Sequence, residues 1–514
     1  MKLPAVDPLV EPLKGTDSNP LAIRGNHEDS VRGANSGDST ATSPIAINEP
    51  TSEAVSELDI PPSTRRTAAK PRTRSGGKSR GPTTEPVVDA VTRPLFAGAD
   101  RSITARTPGM GTDTAGESPQ AAVVPDRTSS GAVGFRSILC LDDFEVAARR
   151  HLPRPLFGYI DGAVEDNVSV RANRESFQRY RFIPRVLVDV SRRSMQTTLL
   201  GATYEAPFGI APMGIAALSA YRGDEVLALA AADTGIPMIM SGSSLIRMEE
   251  VAAVNPDAWF QAYLPGEQAK IDALLDRIAM AGFKRLVVTV DTPVAANREN
   301  NVRAGFSTPL RPSLQLAWDG LTHPRWLLGT FLKTVARHGM PHFENNYATR
   351  GVPIMSKSVL RDFADRGHLN WTHLERIRQR WQGLLVVKGI LDVDDARTAR
   401  AIGADGIIVS NHGGRQLDGA VAPLTVLPGI VEALPDFPVM LDGGIRRGTD
   451  VLKALALGAS FVFVGRPFTY AAAVGGRGGV LHAVDLLRQE VSRDMGMLGV
   501  TSIATISRDR LVAI

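Results

Sequence analysis

Cys140 is the single cysteine among 514 residues. Internal disulfides are thereby excluded, as is any zinc or iron–sulfur site built on several cysteines, and a reducing compartment suits the chain. No apolar run approaches the roughly 20 residues of a membrane-spanning helix. The N-terminus lacks the apolar core of a secretory signal. Neither sign of charge prevails: 58 Lys and Arg against 54 Asp and Glu leave a formal +4. No Lys/Arg patch is interleaved with aromatics, so no nucleic-acid partner is expected, and no metal site is expected either. Aromatics are nearly missing from the first quarter, where Phe96 is the only one among residues 1–134.

That scarcity divides the chain. Residues 1–136 are rich in Pro, Gly, Ser, Thr and Arg, as in Pro71-Arg72-Thr73-Arg74-Ser75-Gly76-Gly77-Lys78. Such a segment buries too little apolar surface to offset its ordering entropy and is read as a disordered tail. Its many Asp and Glu set it apart from a basic, acid-poor transit peptide. An ordered domain is expected over 137–514. Its first helix should be capped by Asp142, with Glu145 three residues on, and should end before Leu152-Pro153.

What the rest does have is a repeat of short apolar runs and longer amphipathic stretches. The strand candidates are Phe208–Met213, Pro237–Ser241, Trp259–Tyr263, Arg285–Asp291, Leu384–Lys388, Gly406–Ser410, Pro438–Asp442 and Phe461–Gly465. Helical patterns between them include Gln268–Ala281, Val393–Ile402 and Thr449–Leu457. Eight β-then-α units predict an α/β fold, a (β/α)8 TIM barrel. A doubly wound open sheet is the competing layout, but Gly209 and Gly214 do not make its glycine fingerprint. The fourth βα connection is a long insertion, about 292–370. Trp, Leu and Phe between Leu316 and Leu332 are expected on one face, with Arg325, Lys333, Arg337 and His338 interspersed. This segment, about 310–340, suits either a peripheral membrane contact or a lid packed on the barrel or on another subunit.

In such a barrel the site lies at the carboxyl ends of the strands. Those ends offer Pro212, Met213 and Gly214; Ser241; Gln261 and Tyr263; Thr289 and Asp291, with Arg298 beyond; Lys388; Ser410, then His412 and Arg415; Asp442, Gly444 and Arg446; Gly465 and Arg466. Singly, each could be a solvated rim, an ion pair or a turn. Jointly they converge on one mouth, and His412 is the only one of nine histidines at a strand end. Glycines after strands seven and eight, with Arg446 and Arg466, suit a phosphate. Lys388 could stabilise negative charge on a bound ring. His412 is a candidate general base, oriented by Asp291. Arg298 and Arg415 are guanidinium forks suited to a carboxylate. The parts suggest a phosphorylated cofactor and a small carboxylate substrate that loses a proton.

The stretch Ser410–Gly419, SNHGGRQLDG, resembles the signature of the FMN-dependent L-2-hydroxy-acid dehydrogenase and oxidase family. Val290-Asp291-Thr292-Pro293, Val387-Lys388-Gly389-Ile390, Asp442–Gly448 and Gly465-Arg466-Pro467 support the resemblance, which covers about residues 137–510. It implies FMN as cofactor. His412 would be the base, removing the hydroxyl proton or, in a carbanion variant, the α-proton, with Asp291 as its partner. Arg298, Arg415 and Tyr159 would bind the substrate carboxylate, and Tyr263 would hydrogen-bond near the hydroxyl. Pro212, Met213, Gly214, Ser241, Gln261, Thr289, Lys388 and Ser410 would hold the flavin. Asp442, Gly444, Arg446, Gly465 and Arg466 would meet its phosphate. A homotetramer is implied in the same way.

Residues 1–136 hold one histidine, His27, too few for the two-histidine haem module that some members carry. Gly214 stands where many members have alanine, and Ser243 where some have a pocket tryptophan, so a larger side chain than glycolate's should fit. The insertion resembles that of membrane-associated bacterial members. The expected activity is oxidation of a lactate- or mandelate-type acid, with electrons passed to a quinone or cytochrome. An oxygen-using oxidase or monooxygenase is the alternative, and an FMN-dependent isomerase or an inactive flavin binder are more distant ones. The expected location is the cytoplasm, with peripheral contact on the inner face of the cell membrane as a variant.

Overall fold

The computed structural model describes residues 135–307, 313–356 and 366–514. The expected tail therefore lies outside the described residues, save for Phe135 and Arg136. Phe135 stacks on His482 at 5.5 Å and tilts against Phe144 at 6.2 Å, so Phe135, two residues before Ser137, already belongs to the packed domain. The first helix, Leu141–His151, ends where expected but starts differently. Its N-cap is Cys140, and the Asp143 carboxylate reaches back to the amides of Leu139 (2.7 Å) and Cys140 (3.1 Å). Asp142 is not the cap: its carboxylate is drawn to Arg174 at 3.0 Å and Arg446 at 3.3 Å.

Eight parallel strands form the barrel: β1 Phe208–Ile210, β2 Ile239–Ser241, β3 Trp259–Ala262, β4 Arg285–Thr289, β5 Leu384–Ile390, β6 Gly406–Val409, β7 Val439–Asp442 and β8 Phe461–Val464. They pair in the order β1-β8-β7-β6-β5-β4-β3-β2. A parallel bridge between Ile210 and Met238, and the bond from Ile210 N to Pro237 O at 2.9 Å, close β1 onto β2. All eight expected strands are present. Most stop short at the carboxyl end, before Ala211–Met213, Tyr263, Val290-Asp291, Ser410 and Gly465, where the backbone leaves the ladder to present side chains at the mouth. β5 instead runs to Ile390, with a register shift after Lys388 and Gly389 at φ +107°. Helices Gln268–Met280, Val393–Ala401 and Gly448–Ala456 fill crossovers within one residue of expectation.

The barrel interior is packed by Ile239, Trp259, Val287, Val386, Ile408, Met440, Phe461 and Phe463, all buried. An antiparallel ribbon, Thr197–Leu199 with Ala202–Tyr204, packs Leu199 and Tyr204 into the same cluster, and the Tyr204 hydroxyl accepts from Trp259 Nε1 at 3.3 Å. Its turn, Leu200-Gly201, has both φ values positive, as a tight primed hairpin requires.

The insertion after β4 begins with a short helix, Glu299–Arg303, and continues in Leu314–Leu321. A longer helical run, Pro324–His338, is π-helical over Leu327–Leu332. Trp, Leu and Phe do not share one face here. Trp326 is 7% exposed, stacks on Phe331 at 5.6 Å and donates Nε1 to Leu218 O at 2.7 Å. Leu314, Trp318, Leu321, Leu328 and Leu332 point outward, Trp318 being 67% exposed. The break between Leu321 and Pro324 and the wider π-helical turns rotate the two sets apart. Among the described residues no helix is long and apolar enough to cross a membrane.

Candidate active site

Past β6 the backbone makes three successive left-handed residues: His412 (φ 56°), Gly413 (66°) and Gly414 (74°). A non-glycine residue in this region costs energy and needs its surroundings to hold it. Here Ser410 Oγ accepts from His412 N at 3.0 Å, and Asn411 Oδ1 accepts from Gly414 N at 3.1 Å. The amides of Asn411 and Asn173 bond reciprocally, at 2.7 and 2.8 Å. A Cβ on Gly414 would sit 2.6 Å from Val170 N, so only glycine fits. Asp418 accepts from Val168 N (3.2 Å) and Ser169 N (2.8 Å), the first amides of the helix Val168–Gln178. The loop is thus fastened to an element that precedes the barrel.

That fastening aims His412 at two partners. Its Nδ1 lies 2.9 Å from Asp291 Oδ1, and its Nε2 lies 3.3 Å from Tyr263 Oη. Burial works against the charge on Asp291, but the charge and hydrogen bond of His412, the charge of Lys388 and a backbone hydrogen bond together hold the carboxyl below its usual range. Burial also pushes the imidazole of His412 down, against the pull of Asp291. A neutral ring beside an ionised carboxylate carries its hydrogen on Nδ1, which makes Nε2, facing Tyr263 Oη, the proton-accepting nitrogen. Burial, then Asp291, push the Tyr263 phenol well above its ordinary value, so it remains a donor.

Arg298 and Arg415 stand beside this pair. Arg298 Nε donates to Arg415 O at 3.2 Å, and its Nη2 donates to the Gln416 side chain. Arg415 donates to the carbonyls of Ile160 (3.3 Å) and Gly162, and its guanidinium lies 5.0 Å from the Tyr159 ring centre. Part of each fork is spent on carbonyls that fix its direction. Burial, then Arg298, push the Arg415 guanidinium down. Two adjacent cations disfavour each other, and an anion between them would relieve both.

Tyr159, Tyr263, Arg298, His412 and Arg415 line one cavity of about 730 Å³. Pro212, Met213, Gly214, Thr289, Lys388, Asp442, Gly444, Arg446, Gly465 and Arg466 line it too. Ser241, Gln261, Asp291 and Ser410 stand behind the lining. Lys388 Nζ donates to Ser410 Oγ at 2.7 Å and pairs with Asp442 Oδ2 at 2.8 Å. Gln261 Oε1 accepts from Ser241 Oγ at 3.2 Å and Gly242 N at 3.3 Å. Gln261 Nε2, Thr289 Oγ1 and Asp442 Oδ1 are buried without a partner among the described residues. Buried polar atoms are rarely left so, and a ligand with alternating donors and acceptors would satisfy them. A flavin ring has that edge. Gly444, at φ 84°, and Gly465, just before the helix Arg466–Leu498, offer close-approaching backbone amides beside Arg446 and Arg466. The residues present fit FMN, except that Asp442, expected near the phosphate, has its carboxylate engaged with Lys388.

Three features escape the sequence reading. Gln416 lies inside the signature, and its amide donates to Asp291 O at 3.3 Å while its oxygen receives Arg298. The Asn173–Asn411 pair joins residues 238 apart, with no local pattern to mark it. Phe306, Phe343 and Arg366 come from the insertion and line the same cavity.

Comparison with known proteins agrees with this geometry. The family model described as FMN-dependent dehydrogenase matches residues 148–513. (S)-mandelate dehydrogenase of Pseudomonas putida is 37% identical over 377 residues, 73% of this chain and 94% of the relative. L-lactate dehydrogenase of Pseudomonas entomophila (strain L48) is 40% identical over 375 residues, 72% of this chain and 97% of the relative. The solved structure of the monotopic membrane protein (S)-mandelate dehydrogenase superposes with a TM-score of 0.68 at 36% identity, covering 74% of this chain and 100% of that one. A barrel with this mouth and these relatives has one reading: the chain belongs to the FMN-dependent dehydrogenase family, an oxidoreductase with FMN as its cofactor.

Proposed function

We propose that the protein oxidises a small L-2-hydroxy acid of the lactate or mandelate type to its 2-oxo acid and hands the electrons to a quinone or cytochrome. The observation that carries this reading is His412, paired with Asp291 at 2.9 Å, opening on the same cavity as Arg298 and Arg415. The two guanidinia receive the carboxylate, with Tyr159 closing over it. That fixes the hydroxyl-bearing carbon next to His412 Nε2. Tyr263 donates to the substrate oxygen and keeps it in line with the imidazole. His412 takes the proton, and Asp291 stabilises the imidazolium that results. The acceptor for the two reducing equivalents would be supplied by bound FMN. Lys388, preorganised by Ser410 and Asp442, would stabilise negative charge on the bound ring. Ser241, Gln261, Thr289 and the Pro212–Gly214 backbone would hold the ring, while Gly444, Arg446, Gly465 and Arg466 would hold the phosphate.

Side-chain size is set by what is small. A Cβ on Gly214 would meet Ser243 Cβ and Tyr159 Oη, each at 3.2 Å. With glycine and serine there, and Phe306 at 4.7 Å from Tyr159, the pocket has room and aromatic walls for a phenyl group. The exposed Leu314, Trp318, Leu321, Leu328 and Leu332 support peripheral docking on a membrane, where a quinone would be met. The test is anaerobic mixing of the FMN-loaded protein with glycolate, L-lactate and L-mandelate, followed by a dye or by oxygen. Flavin bleaching by L-lactate or L-mandelate with fast dye turnover is expected. Bleaching by none of the three defeats the substrate reading; fast stoichiometric peroxide formation defeats the proposed acceptor.

A further inference from the structure

The last residues of the insertion return to the mouth as a built turn. Leu369 N bonds to Arg366 O at 3.1 Å, closing residues 366–369. Asn370 caps the helix Trp371–Arg380, accepting from Thr372 N at 3.1 Å. His368 Nε2 donates to Gly266 O at 2.6 Å. Gly266 lies three residues beyond Tyr263 on the same loop after β3. The turn is therefore held at one end by a helix cap and at its middle by the loop that carries Tyr263. Within it Arg366 is buried, 7% exposed, and places its guanidinium 5.1 Å from the centre of the Tyr263 ring while lining the catalytic cavity.

We propose that Arg366 is a positioning residue for Tyr263: its guanidinium, stacked on the phenol ring, fixes the hydroxyl against His412 and makes it a better donor. The inference rests on the reading of Tyr263 and His412 given above. A cation over an aromatic face is held by the ring quadrupole, more strongly where water is excluded. The Tyr263 hydroxyl sits at 3.3 Å from His412 Nε2, at the long end of useful contact, so a small swing of the side chain about its Cα–Cβ bond would break it. The positive charge also draws electron density from the phenol, and Arg366 is among the groups that oppose the rise in its pKa, after Arg298. The consequence is a link between the insertion and proton transfer: the segment after β4 that carries the exposed apolar side chains also ends on the catalytic tyrosine.

A double-mutant cycle separates this from mere packing. Arg366→Met keeps the bulk and removes the charge, Arg366→Lys keeps the charge and loses the flat stack, and Tyr263→Phe removes the hydroxyl. FMN-loaded proteins are mixed anaerobically with the best acid from the panel, and flavin reduction is followed from pH 5 to 9. Binding of the 2-oxo acid product is read separately from the change it causes in flavin absorbance. Arg366→Met should slow reduction about tenfold and leave product affinity within about threefold. Arg366→Lys should fall between. In the Tyr263→Phe background Arg366→Met should cost nothing further. Wild-type reduction in Arg366→Met, or losses that multiply in the double variant, overturn the inference while leaving the enzymatic reading intact. If Arg366→Met does not yield holoprotein, the same cycle run with Arg366→Lys decides by the same criterion. A wild-type flavin that no acid in the panel bleaches overturns the reading itself, and this inference with it.

Discussion

His412 carries the sharpest residue-level expectation. His412→Ala should slow flavin reduction by roughly 10²- to 10⁴-fold with FMN content unchanged, because general-base catalysis supplies about that factor. The pH dependence follows from the two opposed influences on the ring. Burial lowers the imidazole pKa and Asp291 partly restores it. Reduction should therefore be flat through neutral pH and fall only in acid, below the range in which an ordinary histidine becomes protonated. Asp291→Asn removes the opposing influence, so its acid limb should move to lower pH while the plateau rate drops. An acid limb moving upward in that variant would contradict the arrangement at 2.9 Å. Arg415→Lys tests the carboxylate fork. A single ammonium cannot reproduce a planar pair of donors, so KM for the hydroxy acid should rise at least tenfold in steady-state kinetics.

At the scale of elements, the eight strands are legible because each is a short apolar run buried on both faces, and the strand ends point to the mouth. Their exact stops are not, since leaving the ladder is a tertiary event: Asp291 reads as strand yet lies beyond β4. The two faces of the insertion escape a periodicity argument because a π-helical stretch obeys neither helical nor strand spacing. Ser410–Gly419 reads as catalytic, and its structural half is silent in the sequence. Asp418, the last residue but one of that stretch, caps a helix that begins 250 residues earlier in the chain, and no local pattern links the two. Asp418→Ala removes the acceptor for two helix amides and should lower stability by about 1 kcal/mol in urea unfolding. It should also slow flavin reduction, because the cap and His412 share one loop. Exposed insertion residues make a separate expectation. Trp318→Ser with Leu328→Ser should weaken sedimentation with lipid vesicles and leave flavin reduction in solution unchanged.

For the whole molecule, a buried carboxyl outside the catalytic cavity ties stability to pH. Trp326 ties the insertion to Leu218, in the segment after β1, and the next helix, Gly223–Thr234, opens with Asp224. That carboxyl is 1% exposed, and its Oδ2 has no partner among the described residues. Burial raises its pKa to about 7, despite hydrogen bonds from Ser244 and from backbone amides. An unfolded aspartate ionises near 3.9, so between about pH 4 and pH 7 the folded chain holds a proton that the unfolded chain has released. Stability from this group is greatest in acid and declines as pH rises to about 7, then stays level. Asp224→Asn keeps the shape and removes the titration. Melting of the FMN-saturated proteins at pH 5 and pH 8 should show the variant gaining on the wild type at the higher pH. The same difference in Tm at both values would mean that Asp224 is already ionised in the fold, with a cation or water supplying the partner that its second oxygen lacks.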